Sequence, residues 1–271
     1  MTPELQSIPI PASFFDPLPN TRLAWIGMAG ALINARGAIF LIDPLLIQLQ
    51  KEGVPYCEVG YALRLPLPLL AQDLPRADYV MITHGDDDHF GPQTMQALAE
   101  RTRCRFFVPP PIRQRLLALG VSADRILLAE DYMRLRHGET EIMVTPALHD
   151  WQEVDPWRRG DCCGFLLKTP DGAIWHPGDT RLIDELLAIR DVSVLFFDVA
   201  AVEAHLGPQG SAALAKSCGA RALIAYHYGT FDLPPGSWGN CDPLDALPYL
   251  ADVPAKYLLP SLGEALTLPL A

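Results

Sequence analysis

The amino-acid sequence predicts an α/β (α+β) fold of four αββα layers, in which two mixed β-sheets pack face to face and helices flank them on the outside. Short apolar runs bounded by glycine and proline recur along the chain, as is typical of buried strands. Helical segments interrupt these runs at intervals rather than in strict alternation. The hydrophobic content of 49% over 271 residues is sufficient for a large core.

A proline-rich segment opens the chain. Residues 1–21 contain Pro9, Pro11, Pro17 and Pro19, which break any periodic pattern, so we expect an irregular lead-in. Residues 22–271 contain no repeat of fixed period and no long linker. They are therefore predicted to form a single domain.

The elements of that domain follow from apolar runs and helical periodicity. The predicted strands are residues 23–26, 31–33, 38–42, 79–83, 106–108, 126–128, 141–144, 165–168, 173–175, 194–197 and 222–226. The predicted helices are residues 92–101, 112–119, 182–189 and 211–218, the second of which is ended by Gly120. The strands at 165–168 and 173–175 are expected to form a hairpin across the turn at 169–172.

Composition excludes several classes of protein. The net charge of −11 argues against a nucleic-acid binder, because recognition of the phosphate backbone requires a basic surface. No apolar run approaches the roughly 20 residues of a membrane-spanning helix, and the first residues show no signal-peptide pattern. The six cysteines show no C-x-x-C pair, which indicates thiols in a reducing compartment. We therefore expect a cytoplasmic protein.

Four of the predicted strands lead into a histidine or an aspartate. Ligands placed at strand ends on a rigid scaffold can converge on one rim, which is what a preorganised metal site needs. The strand at 79–83 leads to the loop from His84 to His89, and the strand at 141–144 leads to His149. The strand at 173–175 leads to His176 and Asp179, and the strand at 222–226 leads to His227. These positions predict a site for two metal ions.

The ordered set of residues resembles the metallo-β-lactamase superfamily over nearly the whole chain. His84, Asp88 and His89 match three of the four positions of that family's H-x-H-x-D-H motif. His149, Asp179 and His227 match its three later ligands in order. The segments at 25–27, 41–44 and 226–230 are similar to the branch that contains L-ascorbate-6-phosphate lactonase and N-acylphosphatidylethanolamine phospholipase D.

The resemblance implies a binuclear site. One divalent metal ion would be bound by His84, Asp86 and His149, and the other by Asp88, His89 and His227, with Asp179 bridging them. Two such ions can hold a hydroxide near neutral pH. The expected activity is hydrolysis of an ester, lactone or phosphodiester bond, with Asp88 as the catalytic residue that orients the hydroxide.

Asp86 departs from the motif, which usually has histidine at this position. A carboxylate is a harder ligand than an imidazole and should favour Mn or Fe over Zn. Flavodiiron proteins of the same superfamily have an acidic residue here, so a non-haem di-iron oxidoreductase that lacks their flavodoxin module is the alternative function. A third alternative is a scaffold whose metals are structural or absent.

Other residues near the expected ligands have candidate roles. Asp43 is expected to hold the second nitrogen of a ligand histidine, and His176 is expected to support the ligands rather than to bind metal. His137 is assigned a surface or packing role, and the role of His205 is left open. Candidate substrate-binding residues are Trp151, Arg158 and Arg159 in the loop after His149, and Tyr228 and Thr230 after the last ligand.

The loop at 150–161 has two interpretations. Its arginines suit a carboxylate or a phosphate and its tryptophans suit an apolar wall, but an ordinary charged surface loop is equally consistent with the sequence. We expect a small-molecule substrate, with an anionic group as one option. A homo-oligomer is an open option, and the sequence does not determine which substrate is used.

Overall fold

The structure, a computed structural model, describes residues 4–270. Over that range its strands are β1 (Arg22–Gly27), β2 (Gly30–Ala35), β3 (Ala38–Ile42), β4 (Gln48–Lys51), β5 (Val54–Cys57), β6 (Tyr79–Met81), β7 (Arg105–Val108), β8 (Ile126–Leu128), β9 (Arg134–His137), β10 (Thr140–Pro146), β11 (Cys163–Thr169), β12 (Gly172–His176), β13 (Val194–Asp198), β14 (Ala222–Tyr226), β15 (Lys256–Leu258) and β16 (Leu266–Thr267). The α-helices are α1 (Pro92–Arg101), α2 (Pro110–Ala118) and α3 (Gly207–Cys218). Short 3-10 helices occur at Ala12–Phe15, Ala71–Asp73, Ala123–Arg125, Leu186–Ala188 and Pro243–Tyr249.

Two large mixed sheets form the centre of the molecule. Among the described residues, the first sheet has the strand order β16-β1-β2-β3-β6-β7-β8 and the second has the order β15-β14-β13-β12-β11-β10-β9. The hairpin of β4 and β5 stands apart from both. The predicted fold of two mixed sheets with flanking helices is confirmed.

The strands of the first sheet are buried on both faces, and their side chains alternate between two cores. In β1, Leu23 and Trp25 pack in the core between the sheets, whereas Ala24 and Ile26 pack in the core beneath the helices. This alternation follows from the two-residue period of a strand. Met95 of α1 and Ile112 of α2 lie in that outer core.

Proline and glycine set the helix ends. Both α1 and α2 begin with a proline, which has no backbone N–H to leave unpaired and has a φ angle suited to the first helical position. The third helix, α3, packs on β13 of the second sheet and ends at Gly219, whose φ of +71° is the left-handed conformation that glycine tolerates.

Several elements differ from the prediction. Residues 182–189 form only the short 3-10 helix Leu186–Ala188, since Ile183, Leu186 and Ile189 reach the core without a full helix. Strands β4, β5, β9, β15 and β16 were not predicted, because they are short and largely exposed or half-buried. Strand β13 extends one residue beyond the prediction, to Asp198.

The described part of the lead-in lies against the rest of the chain. Ser7 pairs with Leu262 in an isolated β-bridge, and Phe14 and Phe15 are buried in the outer core. The division of the chain at residue 21 stays a prediction. No helix within residues 4–270 has the length and apolar character needed to cross a membrane, and the six cysteines are buried free thiols.

Candidate metal centre

The predicted ligands lie at the C-terminal ends of strands from both sheets. In the first sheet, β3 and β6 are parallel. In the second, β10, β12, β13 and β14 point in the same direction, so their carboxyl ends meet at one edge. The residues at these ends are Asp43, the loop from His84 to His89, His149, Asp179, Asp198 and His227.

A first cluster contains His84, Asp86 and His149, whose ligand atoms lie within 4.8 Å of one another. Oδ2 of Asp86 lies 3.5 Å from Nε2 of His84 and 3.3 Å from Nε2 of His149. Both imidazoles are buried, and Asp86 is half-buried. This cluster could hold one metal ion.

A second cluster contains Asp88, His89, Asp179 and His227, also within 4.8 Å of one another. The two oxygens of Asp179 are divided between the histidines: Oδ2 lies 3.1 Å from Nε2 of His89, and Oδ1 lies 3.4 Å from Nε2 of His227. Asp179 Oδ2 is also 4.0 Å from Nε2 of His84 in the first cluster. Asp179 therefore stands between the clusters and could bind an ion in each.

Asp43 orients His89 in the way expected from the sequence. Nδ1 of His89 donates to Oδ2 of Asp43 at 2.8 Å. Asp43 also accepts from the backbone N–H of Thr83 at 2.7 Å and from its hydroxyl at 2.6 Å. These bonds leave Nε2 of His89 free to face the second cluster, which is the arrangement that sets the tautomer of a metal-binding histidine.

Asp198 and His205 form part of the site, and neither was assigned to it from the sequence. Oδ1 of Asp198 accepts from Nδ1 of His227 at 2.9 Å, and Oδ2 accepts from Nδ1 of His205 at 3.0 Å. Nε2 of His205 lies 3.4 Å from Oδ2 of Asp179. The same strand-end signal would have identified Asp198, since it ends β13.

The other two candidate histidines are also held through Nδ1. Nδ1 of His149 donates to the carbonyl oxygen of Ala204 at 3.0 Å, and Nδ1 of His84 lies 3.0 Å from the hydroxyl of Thr83. All four predicted ligand histidines therefore present Nε2 to the two clusters.

The buried polar atoms of the site fit a pair of cations. Among the described residues, Nε2 of His84, Nε2 of His227 and Oδ1 of Asp179 are buried without a hydrogen-bond partner. Leaving such atoms unpaired costs about 1–3 kcal/mol each. A metal ion in each cluster would supply the missing partners, so the donor set suits the metals that the resemblance implies.

The electrostatics of the site also call for positive charge. Burial lowers the pKa of His89, but the charges of Asp179, Asp88 and Asp43 outweigh burial and hold it well above its ordinary value. Burial raises the pKa of Asp86, but hydrogen bonds with His149 and His84 hold it far below its ordinary range. Bound cations would neutralise these carboxylates.

Two unusual backbone conformations place the ligands. His227 has a φ of 64°, in the left-handed region that L-residues seldom adopt, which is a local strain of the kind found at functional sites. Gly178 has a φ of +67°, and a Cβ there would lie 2.6 Å from the carbonyl oxygen of Cys163. Glycine is therefore required next to Asp179.

The loop at 150–161 is attached to the site by two indoles. Nε1 of Trp151 donates to Oδ2 of Asp86 at 2.9 Å, and Nε1 of Trp157 donates to Oδ1 at 3.0 Å. Asp86 therefore faces the first cluster and anchors the loop with the same carboxylate.

A cavity of about 600 Å³ opens above the two clusters. This volume is ordinary for a small-molecule site. The cavity is lined by Tyr61, Gly85, Asp86, Asp87, Asp88, His149, Trp151, Asp179, Val202, Glu203, His205 and Trp238.

The arginines proposed for anion recognition do not line this cavity. Arg159 pairs with Glu185 at 2.6 Å and lies 3.6 Å from Asp131. The side chain of Arg158 is 81% exposed, and its closest acidic partner is Asp155 at 3.8 Å. Both guanidinium groups are directed to surface carboxylates, and the expectation that this pair binds an anionic substrate stays a prediction.

Tyr228 and Thr230 are also placed away from the cavity. The ring of Tyr228 stacks on Trp25 with centroids 4.8 Å apart. The hydroxyl of Thr230 accepts from the backbone N–H of Met28 at 2.8 Å. These contacts join residues 227–230 to the β1–β2 turn, and neither residue lines the cavity, so a substrate-binding role for them stays a prediction.

His176 and His137 have packing contacts. Nε2 of His176 donates to the carbonyl oxygen of Ala29 at 2.8 Å, and its Nδ1 accepts from the N–H of Gly178 at 3.2 Å. His176 thus supports the loop that carries Asp179. His137 packs edge-on against Phe40, as its assigned packing role requires.

Comparison with known proteins identifies relatives of the chain. The model of the β-lactamase superfamily domain matches residues 40–228. A UPF0173 metal-dependent hydrolase from Pyrobaculum aerophilum is 29% identical over 222 residues, which cover 78% of this chain and 86% of the relative.

Solved structures show the same fold at low sequence identity. Igni18, described as a metallo hydrolase of the archaeon Ignicoccus hospitalis, superposes with a TM-score of 0.71 at 20% identity over 93% of this chain and 100% of that chain. CmlA, described as a diiron β-hydroxylase of Streptomyces venezuelae, superposes with a TM-score of 0.69 at 17% identity over 93% of this chain and 55% of that chain.

Proposed function

This chain belongs to the metallo-β-lactamase superfamily, and from that membership we propose that it is a hydrolase dependent on two divalent metal ions. The observation that carries the proposal is the position of Asp179 between two clusters of ligand atoms. Relatives described as metal-dependent hydrolases support the reaction class.

We assign the residues to two sets of ligands. One ion would be held by His84, Asp86 and His149, and the other by Asp88, His89 and His227, with Asp179 contributing to both. Two divalent ions in one site activate water as a nucleophile near neutral pH and stabilise negative charge on the oxygen under attack.

The chain itself orients the reactants. Asp88 lines the cavity, and its Oδ2 lies 3.4 Å from Nε2 of His89. We assign Asp88 the role of accepting a hydrogen bond from the attacking water, which directs the water toward the cavity. The cavity wall would position the scissile bond against the attacking water.

The bond we propose is an ester, a lactone or a phosphodiester. The resemblance of residues 226–230 to the branch with L-ascorbate-6-phosphate lactonase and N-acylphosphatidylethanolamine phospholipase D supports this range. Asp86 offers a carboxylate oxygen to the first cluster, which favours Mn or Fe there over Zn.

A non-haem di-iron oxidoreductase is the second candidate. Asp86 favours it, because a carboxylate at this position suits iron. The fold shared with CmlA is compatible with it. Coloured, redox-active iron in protein purified without chelator would favour this function over hydrolysis.

The test compares metal-loaded protein with metal-free protein on 4-nitrophenyl acetate, a γ-lactone and bis(4-nitrophenyl) phosphate. We expect hydrolysis of one of these classes to require Mn or Zn and to fall by about 100-fold in Asp88→Asn, on the scale of a lost acid–base group. Asp252→Asn is the matched control, because Asp252 is exposed and paired with Lys216. Equal rates with and without metal on all three classes would overturn the proposal.

A further inference from the structure

The lining of the cavity defines the class of molecule that fits it. We infer that the cavity binds a neutral or positively charged substrate that carries a planar apolar group, and that it discriminates against anions. This inference rests on the proposed function, because it concerns the cavity above the same metal centre. It replaces the anionic option suggested by the sequence of the loop at 150–161. Within the proposed function it favours an ester or a lactone over a phosphodiester, because a phosphodiester carries a negative charge.

Aromatic rings form one wall of the cavity. Tyr61 stacks on Phe231 with centroids 4.9 Å apart, and Trp238 makes T-shaped contacts with both rings at centroid distances of 5.5 Å and 6.1 Å. Phe231 is buried, so it backs the two rings that reach the cavity. Mutual packing holds this wall in place before any ligand arrives.

Trp151 stands on the side of the cavity near the first cluster. The residue is 51% exposed, although its Nε1 is held by Asp86 and its ring centroid lies 6.5 Å from that of His149. A large indole that is fixed by a hydrogen bond yet open to solvent offers a face for stacking. Val202 adds an aliphatic surface, 37% exposed, to the same cavity.

The charges at the mouth are acidic. Asp87 is exposed, the side chain of Glu203 is 77% exposed, and both line the cavity. Among the described residues that line it, there is no lysine or arginine. The two lining histidines already face carboxylates, since Nε2 of His205 lies 3.4 Å from Oδ2 of Asp179 and Nε2 of His149 lies 3.3 Å from Oδ2 of Asp86.

Two arginines that contact residues of the cavity lining are already engaged. Arg181 is shared between Asp150 at 2.5 Å and Glu203 at 3.2 Å, so this group of three keeps a net negative charge. Arg115 donates to the carbonyl oxygen of Gly85 and lies 4.1 Å above the ring of Phe90, beneath the ligand loop.

The metal centre adds little attraction for anions. Two divalent ions would be opposed by the carboxylates of Asp86, Asp88 and Asp179, which leaves one unit of positive charge before any hydroxide is counted. An anionic substrate would therefore meet acidic side chains at the mouth without an arginine or a lysine to pair with. A cation would meet aromatic faces, which attract positive charge through the ring quadrupole.

The test uses three probes that share a benzyl group: benzyltrimethylammonium, benzyl alcohol and phenylmethanesulfonate. Sulfonate is chosen because it is a weak metal ligand. Dissociation constants are measured on zinc-loaded protein by ligand-observed NMR titration at constant ionic strength. We expect the ammonium probe to bind about tenfold more tightly than the sulfonate, with the alcohol between them. If the sulfonate dissociation constant is less than three times the ammonium dissociation constant, or if the sulfonate binds more tightly, the inference is overturned.

Two variants locate the preference in the cavity. Glu203→Gln should lower the ratio of ammonium affinity to sulfonate affinity by threefold or more. The change should not destabilise the fold, because Glu203 is exposed. Trp238→Leu should weaken the binding of all three probes. Glu139→Gln is the matched control, since Glu139 is exposed and lies outside the cavity lining. A ratio unchanged in Glu203→Gln, or equally changed in Glu139→Gln, would contradict the assignment.

Binding and turnover separate the two claims. A preserved ammonium preference in a protein that shows no metal-dependent hydrolysis of any of the three test substrates would overturn the proposed function and leave the inference standing. Metal-dependent hydrolysis by a protein that binds the sulfonate as tightly as the ammonium would leave the proposed function standing and overturn the inference.

Discussion

The carboxylate of Asp198 holds the ring of His227, since Oδ1 accepts from Nδ1 at 2.9 Å. Asp43 holds His89 in the same way at 2.8 Å, so each sheet supplies one buried carboxylate behind one histidine of the second cluster. Such carboxylates fix the tautomer of a metal ligand and raise its basicity. They account for how two histidines on different sheets can face one ion.

Asp198→Asn should weaken metal binding in the second cluster. An asparagine amide has one acceptor oxygen and no charge, so it cannot accept strong hydrogen bonds from both His227 and His205. Loss of such a partner costs about 10- to 100-fold in metal affinity. The measurement is competition with a chelator of known affinity, with circular dichroism as a check of folding. Asp252→Asn serves as the control, and an unchanged affinity in Asp198→Asn would mean that Asp198 supports only the fold.

Substitution of Asp86 should change the metal content. Asp86→Ala should lose one of two bound ions, because the first cluster would keep only His84 and His149. Asp86→His should keep both ions and shift the occupancy toward Zn, since imidazole is a softer ligand. Metal stoichiometry by mass spectrometry under identical loading measures both effects. Retention of two tightly bound ions in Asp86→Ala would show that this carboxylate is not a ligand.

Trp157→Phe should loosen the loop at 150–161. The change keeps a ring but removes the N–H that donates to Asp86 at 3.0 Å. A hydrogen bond to a charged group contributes about 1.5–3 kcal/mol, so amide hydrogen exchange in the loop should accelerate by about tenfold or more. Tyr132→Phe is a control at an exposed aromatic residue outside the loop. Unaltered exchange across 150–161 would indicate that the indole bond does not hold the loop.

Asp171→Asn should destabilise the fold in a pH-dependent way. Asp171, in the β11–β12 turn, accepts from Arg36 at 2.6 Å and from the backbone N–H of Thr21 at 2.8 Å. The hydrogen bond from Arg36 is the main cause that lowers the pKa of Asp171 from 3.8 to about 2. The loss at pH 7 should be about 1–2 kcal/mol in the free energy of unfolding, measured by urea denaturation.

The sign of the pH dependence follows from that lowered pKa. The unfolded chain binds the proton of Asp171 more readily than the folded chain does. The contribution of Asp171 to the free energy of unfolding is therefore complete above its ordinary pKa of 3.8 and is lost as the pH falls to about 2. The difference in the free energy of unfolding between wild type and Asp171→Asn should therefore decrease between pH 4 and pH 2. A difference that stays constant down to pH 2 would contradict this role. The same conclusion would follow from an equal loss of stability in the control variant Asp252→Asn.

Much of the fold could be predicted from the sequence because its signals are local. The apolar runs before His84 and His227 are buried strands, and Pro92 and Arg101 bound the first helix as predicted. Strands such as β4 and β9 were missed, since exposed strands carry no apolar run. Their stability comes from pairing with neighbours, which a local pattern does not show.

The residue types of the candidate site and their order can be read from the sequence, since a histidine or an aspartate at the end of a buried strand is a local feature. Which of these residues come into contact depends on how the two sheets pack. That packing joined Asp198 and His205 to the cluster and turned Arg158 and Arg159 away from the cavity. The direction of a loop side chain depends on partners that are distant in sequence, as Arg159 depends on Glu185. Such partners come together only when the sheets pack.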